Sequence, residues 1–104
     1  MAETANEQRF RISGRVRHRA VVGEGVLVHL DSGRVLVVSE VGLSLVQRLA
    51  EGAMTVTELA DAVVREFEVE SERARADVEV FLGQLNHEQA LESITAPDGG
   101  PGVG

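Results

Sequence analysis

Three histidines are the residues of this sequence that could most readily carry acid–base or metal chemistry near neutral pH. His18, His29 and His87 share none of the short spacings by which histidines ligate a metal. We expect His18 and His29 to lie on strands and His87 to lie on the exposed end of the last helix. The chain has no cysteine, which excludes a thiol nucleophile, a thiolate metal site and a disulfide. The sequence predicts neither a catalytic site nor a metal site.

Glycines and serines offer no better candidates for catalysis. Gly23, Gly25, Gly33 and Gly42 do not form a phosphate-binding loop, because none of them joins a strand to a helix with the G-x-G-x-x-G spacing. No serine has a histidine partner that the sequence identifies. We therefore expect that the chain is not an enzyme and that it binds no cofactor.

The chain is acidic, with seventeen aspartates and glutamates against ten arginines, no lysine and a formal net charge of −7. Such a chain repels nucleic-acid phosphates unless its cations gather on one surface. Five arginines do gather in the first fifth of the sequence. We interpret them as a solvated strand face, with an acidic peptide or protein and then nucleic acid as alternative partners. They are Arg9, Arg11, Arg15, Arg17 and Arg19.

The length of 104 residues suits a single domain. We predict a flexible N-terminal segment over residues 1–13, a folded domain over 14–92 and a disordered tail over 93–104. The N-terminus is polar, and no apolar stretch approaches the roughly 20 residues of a membrane span. We expect a cytoplasmic protein that does not bind membranes.

Between residues 14 and 39 the apolar side chains repeat with the period of two that is typical of strands. Two short turns divide this stretch into three strands, which predicts an antiparallel meander with the third strand at its edge. The second turn is either a two-residue loop, Ser32-Gly33, or a three-residue loop that includes Asp31. We prefer the longer loop, with Gly33 in the left-handed conformation and with Leu36 and Val38 facing the core.

Three helices follow the strands. Ser39 is predicted to cap the first helix, which Gly52 ends. The pattern T-x-x-E at residues 55–58 is a capping box that opens the second helix. The third helix is predicted to begin with Ser71 as its cap and to run to about Leu91. The order β-β-β-α-α-α is an α+β, winged-helix-like layout.

A winged-helix protein that binds nucleic acid is one hypothesis for this layout. The second and third predicted helices carry three arginines among eight acidic residues, so their electric field is negative and unfavourable for a duplex. We therefore keep nucleic-acid binding as the alternative function and expect no nucleic acid among the partners.

The predicted edge strand carries Val35, Leu36, Val37 and Val38 in a row. Since successive side chains point to opposite faces, this strand is apolar on both faces. Proteins normally blunt such an edge with a charge or a proline, and neither is present between residues 35 and 38. The third helix could cover the strand, a second copy could pair with it, or a peptide partner could add a strand to it.

Three segments, in this order, resemble the PqqD-like protein family. GRVLVVSEVG, at residues 33–42, is similar to the family's G-r-…-L-N-e-t-G signature, with Ser39 in place of its asparagine. EGAMTVTELADAVVREFEV, at residues 51–69, is similar to its dG-x-x-T-V-x-E-i helix. ERARADVEVFLGQLNHEQAL, at residues 72–91, resembles its closing D-V-x-x-F-L-x-x-L. The resemblance covers about residues 15–92.

This resemblance implies a RiPP recognition element, a non-catalytic domain that binds the leader region of a ribosomally synthesised precursor peptide. It also implies a modifying enzyme as partner, either a radical SAM enzyme or a lasso-type leader peptidase. In such domains the leader adds as an antiparallel strand to the third strand, beside the third helix. Carried over by position, the peptide-binding residues are Arg34, Val35, Leu36, Val37, Val38, Ser39, Asp77, Val80, Phe81, Gln84 and Leu85.

Overall fold

The computed structural model describes residues 8–94, which form six strands and three helices. In chain order these are β1 (Arg9–Ile12), β2 (Val16–Val21), β3 (Glu24–His29), β4 (Val35–Ser39), α1 (Glu40–Glu51), β5 (Met54–Thr55), α2 (Val56–Phe67), α3 (Ser71–His87) and β6 (Leu91–Ile94).

The meander predicted from the sequence is present as β2, β3 and β4, which form an antiparallel sheet in that order. Leu27 of the central strand pairs with His18 of β2 and with Leu36 of β4. Three helices follow β4, so the predicted α+β, winged-helix-like arrangement is confirmed. β4 has a neighbouring strand on one side only, which makes it an edge of the sheet as expected.

The turn between β3 and β4 is longer than either loop considered from the sequence. The His29 N–H donates to the Arg34 carbonyl at 3.0 Å, and the Gly33 N–H donates to the His29 carbonyl at 2.8 Å, which leaves four residues between the paired His29 and Arg34. The left-handed conformation of Gly33 is confirmed by its φ of 75°. Leu36 and Val38 face the core, as predicted.

Side chains near the loop explain its extra length. The Asp31 N–H donates to Nδ1 of His29 at 3.2 Å, and the Arg34 N–H donates to Oγ of Ser32 at 3.2 Å. These bonds satisfy backbone donors that a tighter turn would leave to the strand ladder or to water. Residue spacing alone does not reveal them.

Two of the three predicted helix starts are confirmed. The Ser39 hydroxyl accepts a hydrogen bond from the backbone of α1 at 3.2 Å. Thr55 and Glu58 bond reciprocally to each other's backbone N–H, which completes the capping box of α2. The prediction for α3 is wrong, because helical backbone begins at Ser71 itself and Glu70 occupies the cap position without a side-chain hydrogen bond.

A second sheet, absent from the sequence predictions, joins the two ends of the described chain. Its order is β5-β1-β6, and β1 pairs with β6 from Arg9 opposite Ile94 to Ile12 opposite Leu91. The predicted flexible segment is therefore wrong for residues 9–12, and the predicted tail is wrong for residues 93–94. Each strand has four residues and finds its partner at the far end of the chain, so no local pattern reveals the pairing. Residues 1–7 and 95–104 of these predicted segments lie outside the described residues.

α3 ends at His87, several residues before the predicted end. Gln89 adopts a left-handed conformation with a φ of 59°, and the Ala90 N–H donates to the Leu85 carbonyl at 2.8 Å. This is the Schellman geometry that closes many helices. Glycine usually occupies its left-handed position, so Gln89 conceals the stop in the sequence.

The hydrophobic core lies between the helices and the inner faces of the two sheets. Its largest fully buried side chains are Leu45, Val46, Leu49, Leu59, Val78 and Leu85. Within residues 8–94, every buried side-chain polar atom has a hydrogen-bond partner. None of the helices in that range is long and apolar enough to cross a membrane.

Candidate functional site

The free side of β4 is an unpaired strand edge. The His29 N–H donates to the Arg34 carbonyl, which fixes the alternation of the ladder: in an antiparallel sheet, bonded positions alternate with positions that make no mutual bonds. Leu36 and Val38 therefore bond to β3, whereas Val35 and Val37 direct their N–H and C=O groups away from the sheet. Among residues 8–94, no backbone group bonds to them from that side.

Two adjoining cavities, of about 500 and 320 Å³, lie between this edge and α3. We call them together the β4–α3 groove. The first is lined by Leu36, Val37, Val38, Val80, Gly83, Gln84, His87 and Glu88, and the second by Ser39, Val41, Gly42, Leu45, Asp77, Val80, Phe81 and Gln84. Both share Val80 and Gln84, so the groove runs along β4 from Leu36 to Ser39.

The spacing of residues along α3 builds the far wall of the groove. Positions three and four apart share one face of a helix, which brings Asp77, Val80, Phe81 and Gln84 into one stripe. Val80 is 63% exposed although it is apolar. The opposite stripe, which consists of Ala74, Val78, Leu82 and Leu85, is buried in the core.

The structure brings most of the predicted peptide-binding residues together. Ten of them lie in the groove, on its edge strand or at its end. Leu85 is the exception, because it belongs to the buried stripe of α3 and is fully inaccessible to solvent. Val35 stands on the strand at 59% exposure without lining either cavity.

The prediction missed further lining residues, namely Val41, Gly42, Leu45, Gly83, His87 and Glu88. The helical period could have found Gly83 and His87, which continue the stripe of Val80 and Gln84. Gly42 is the final glycine of GRVLVVSEVG, the segment that resembles the family signature, and that resemblance is the signal that could have found it.

An ion pair closes one end of the groove. The Arg34 guanidinium donates from Nε to Oε1 of Glu88 at 2.6 Å and from Nη2 to Oε2 at 2.9 Å. Arg34 immediately precedes β4, and Glu88 immediately follows the last residue of α3. The pair therefore joins the two walls where the strand begins.

Close packing sets the other end. A Cβ atom on Gly42 would lie 2.9 Å from Cε1 of Phe81 and 3.0 Å from Cβ of Val38. Only a residue without a side chain lets the first turn of α1 approach α3 this closely. Gly42 thereby seats the Phe81 ring in the wall of the groove.

The carboxyl groups with clearly lowered pKa values lie outside the groove. The guanidinium of Arg15 lowers the pKa of Asp31 by hydrogen bonding, the backbone N–H of Thr55 lowers that of Glu58, and the hydroxyl of Ser44 lowers that of Glu66. Each is explained by a structural hydrogen bond. The groove itself offers apolar side chains, polar side chains such as those of Asp77 and Gln84, and the backbone hydrogen-bonding groups of β4.

The histidines do not form a site. His18 and His29 lie on β2 and β3, and His87 is the exposed last residue of α3, as predicted. Nε2 of His29, the last residue of β3, lies 3.0 Å from the carbonyl of Gln89, which is in the turn before β6. Among the described residues, no group of three or more potential ligands could hold a metal ion.

The fold and this groove define a winged-helix-like domain with an unpaired edge strand beside an apolar cleft. A family model described as coenzyme PQQ synthesis protein D (PqqD) matches residues 24–91. The chain belongs to the PqqD family, which confirms the resemblance seen in its sequence. No curated protein sequence gives a significant match.

Solved structures with the same fold include leader-peptide complexes. TbiB1 in complex with the TbiA(beta) leader peptide is 30% identical to this chain, with a TM-score of 0.71 over 79% of this chain and 94% of that one. Lasso peptide synthetase B1 complexed with its leader peptide is 23% identical, with a TM-score of 0.68 over 80% and 96%.

The third similar structure is the PqqD truncation of Methylobacterium extorquens PqqCD, a stand-alone RiPP recognition element. It is 21% identical to this chain, with a TM-score of 0.66 over 81% of this chain and 88% of that one. The PqqD truncation and lasso peptide synthetase B1 are both less than 25% identical to this chain. Their structural similarity establishes the fold of this chain alone.

Proposed function

We propose that this chain binds the leader region of a ribosomally synthesised precursor peptide and delivers it to a modifying enzyme. The observation that carries the proposal is the unpaired outer edge of β4 beside the β4–α3 groove. Membership of the PqqD family and the likeness to TbiB1, which was solved with a leader peptide, support it.

The leader would add to β4 as an antiparallel strand. The free N–H and C=O groups of Val35 and Val37 supply the backbone ladder, which gives affinity without depending on the peptide's sequence. Alternate leader side chains point toward the helices, and the two cavities of the groove suit two apolar side chains spaced two residues apart. In this orientation the N-terminal part of the bound segment lies near Ser39 and the C-terminal part near Arg34.

The proposed contact residues are those predicted from the sequence, without Leu85. They are Arg34, Val35, Leu36, Val37, Val38, Ser39, Asp77, Val80, Phe81 and Gln84, and the groove adds Val41, Gly83, His87 and Glu88. Arg34 would contribute at the end of the groove, where it holds Glu88.

The chain itself would act by binding, without catalysis and without a cofactor. The covalent chemistry on the precursor would belong to the partner, a leader peptidase or a radical SAM enzyme. The proposal includes a cytoplasmic location, because a precursor made on ribosomes is available there before any export.

The charge distribution favours a peptide over nucleic acid. Arg9, Arg11 and Arg15, three of the five N-terminal arginines, are held in ion pairs with Glu58, Glu92 and Asp31 at 2.9–3.1 Å. A neutralised arginine releases few counterions from a phosphate backbone, so this region is poorly suited to binding a duplex.

The test is a titration with a fluorescently labelled synthetic leader, taken from the precursor peptide encoded beside this chain's gene. Val37→Pro removes an N–H that points away from β3, so the sheet keeps its own ladder while the leader loses a hydrogen bond. We expect binding at least about tenfold weaker, a loss of about 1.4 kcal/mol.

His18→Pro is the matched control. His18 occupies the corresponding outward-facing position in the middle of β2, the opposite edge of the same sheet, since Leu30 bonds to Arg15 and fixes the alternation there. We expect His18→Pro to destabilise its strand as much as Val37→Pro does, and it leaves β4 unchanged. Circular dichroism checks that both variants fold. A folded Val37→Pro protein that binds the leader like the native chain would rule out strand addition at β4.

A further inference from the structure

The sheet formed by β2, β3 and β4 has a second face, directed away from the helices. Val16, Leu27 and Val38 are buried on the inner face, so strand alternation places their neighbours outside. Val26 pairs with Val37 and Val28 pairs with Val35, which sets four valines side by side. Arg17 and Arg19, opposite Val28 and Val26, flank them on β2. We call these six residues the outer face.

The valines of the outer face are accessible to solvent. Val35 is 59% exposed and Val37 is 63% exposed, whereas Val26 and Val28 on the central strand are partly exposed. Leu30, at 44% exposure, and Val21, at 47%, extend the apolar area at its two ends. A contiguous apolar patch of this kind on a small domain usually marks an interaction surface.

The arginines of the outer face are set apart by their lack of carboxylate partners. Seven of the ten arginines of the chain, all of which lie within the described residues, form ion pairs. The other three are Arg17, Arg19 and Arg65. Nη1 of Arg17 donates to the Gly14 carbonyl at 3.0 Å, and no carboxylate neutralises it. In a chain with a net charge of −7, the outer face is thus locally positive.

We infer that the outer face is the docking surface for the modifying enzyme, and that the enzyme meets it with an apolar patch bordered by aspartates or glutamates. This inference rests on the proposed function. Charge complementarity selects the partner, since carboxylates would neutralise Arg17 and Arg19 in a partly desolvated setting. Glu24 is the acidic residue at the rim of this face, opposite Val21, so the central part of the face is free of negative charge.

A second copy of the chain suits this face less well. A symmetric dimer that stacks β2 of one copy on β2 of the other would bring the unpaired arginines of both copies together, where like charges repel. A dimer that stacks β2 on β4 would leave these arginines without a carboxylate partner. An acidic partner, in contrast, would be attracted by the positive charges of Arg17 and Arg19.

The outer face is continuous with the edge to which the leader would add. A leader strand paired with β4 extends the sheet, and every second leader side chain then lies beside Val35 and Val37 on the outer face. The enzyme would therefore bind a surface made by both the protein and the peptide. This arrangement couples the two events, so each ligand raises the affinity for the other by the same factor.

The experiment measures two affinities for each variant, one for the labelled leader and one for the purified modifying enzyme encoded beside this chain's gene. The test variant is Arg17→Glu combined with Arg19→Glu, and Arg65→Glu is the matched control because Arg65 is an unpaired arginine on α2. We expect the double variant to weaken enzyme binding by about a hundredfold, with leader binding within about twofold, and the control to change neither.

A second variant tests the apolar part of the face without a change of charge. Val26→Thr combined with Val28→Thr keeps the side-chain shape and the strand propensity on the central strand, away from the peptide edge. We expect enzyme binding at least about tenfold weaker. Thermal unfolding shows that each variant remains folded.

The outcomes separate this inference from the proposed function. Unchanged enzyme affinity in both outer-face variants overturns the docking surface even if the leader binds. A native protein that binds the enzyme but not the leader overturns the proposed function and leaves the docking surface standing. A dimer, detected by sedimentation, that the double arginine variant abolishes and the enzyme does not displace would assign the face to self-association and overturn the inference.

Discussion

The carboxylate of Glu88 binds the guanidinium of Arg34 through two hydrogen bonds, of 2.6 and 2.9 Å. This ion pair connects residues on either side of the groove, where β4 begins and α3 ends. The Glu88 side chain is only 16% exposed, whereas that of Arg34 is 65% exposed. The shielded carboxylate and the short 2.6 Å bond distinguish this pair from the other ion pairs, whose distances are 2.9–3.8 Å.

Glu88→Gln should lower the free energy of unfolding by about 1 kcal/mol, because the bond between two charged groups is lost and a half-shielded site remains. Urea denaturation measures this change. Glu79→Gln is the control, since Glu79 pairs with Arg75 at 3.5 Å on the exposed side of α3 and should cost less than about 0.5 kcal/mol. Equal effects from the two variants would show that Arg34 and Glu88 do not brace the groove.

Two glycines that line the groove should respond to alanine with opposite signs. In Gly42→Ala the new methyl group would meet Phe81 at 2.9 Å, so the ring or α1 must move, and we expect a loss of about 1–3 kcal/mol of stability and weaker leader binding. In Gly83→Ala the methyl group has no atom within 4 Å, and the helix gains about 0.5–1 kcal/mol from the better residue. Thermal unfolding compares the two. A stabilising Gly42→Ala would contradict the close packing described for Phe81.

Acid should weaken the contact between α1 and α2. The Ser44 hydroxyl donates to Glu66 at 2.6 Å and Arg48 adds a bond at 3.2 Å, so the pKa of Glu66 in the folded protein lies below its ordinary value of 4.5. A group whose pKa falls on folding contributes stability above the unfolded value, and this contribution is lost as the pH drops through the folded value. Glu66→Gln should therefore differ from the native protein at pH 7 and converge with it as the pH falls below 4.5 and through the lower pKa of folded Glu66.

Urea denaturation at a series of pH values measures that convergence. Because the Glu66 side chain is 44% exposed, we expect a difference of a few tenths of a kcal/mol at neutral pH. Ser44→Ala, which removes the first cause of the shift, should reduce the same pH dependence. A constant difference between native and Glu66→Gln proteins across the whole range would contradict the assignment.

The local features of the fold could be predicted from the sequence because their causes are local. The period of two between residues 14 and 39 gave the three-stranded meander, and serine and threonine at helix starts gave the caps at Ser39 and Thr55. The features that were missed have distant or concealed causes. β1 pairs with β6 across almost the whole described chain, and the end of α3 depends on a left-handed Gln89 where glycine is the usual signal.

The candidate site divides in the same way. The apolar row Val35–Val38 and the helical stripe of Asp77, Val80, Phe81 and Gln84 are written in the sequence, because each depends only on the period of its own strand or helix. The distance between strand and helix is a tertiary property. The contact of Gly42 with Phe81 and the ion pair of Arg34 with Glu88 set that distance. Leu85 belongs to the core because it lies on the opposite, buried stripe of α3 with Val78 and Leu82.

By itself, then, the sequence determined which strand is apolar on both faces and which helical residues accompany it. Only the tertiary structure decided that the edge of β4 stays unpaired, that a groove lies beside it, and that Arg17 and Arg19 stand without carboxylates next to the four valines of the outer face. The physical reason is that periodicity acts between neighbours in the chain, whereas an open edge, a cavity and an unpaired charge depend on what the rest of the chain leaves uncovered.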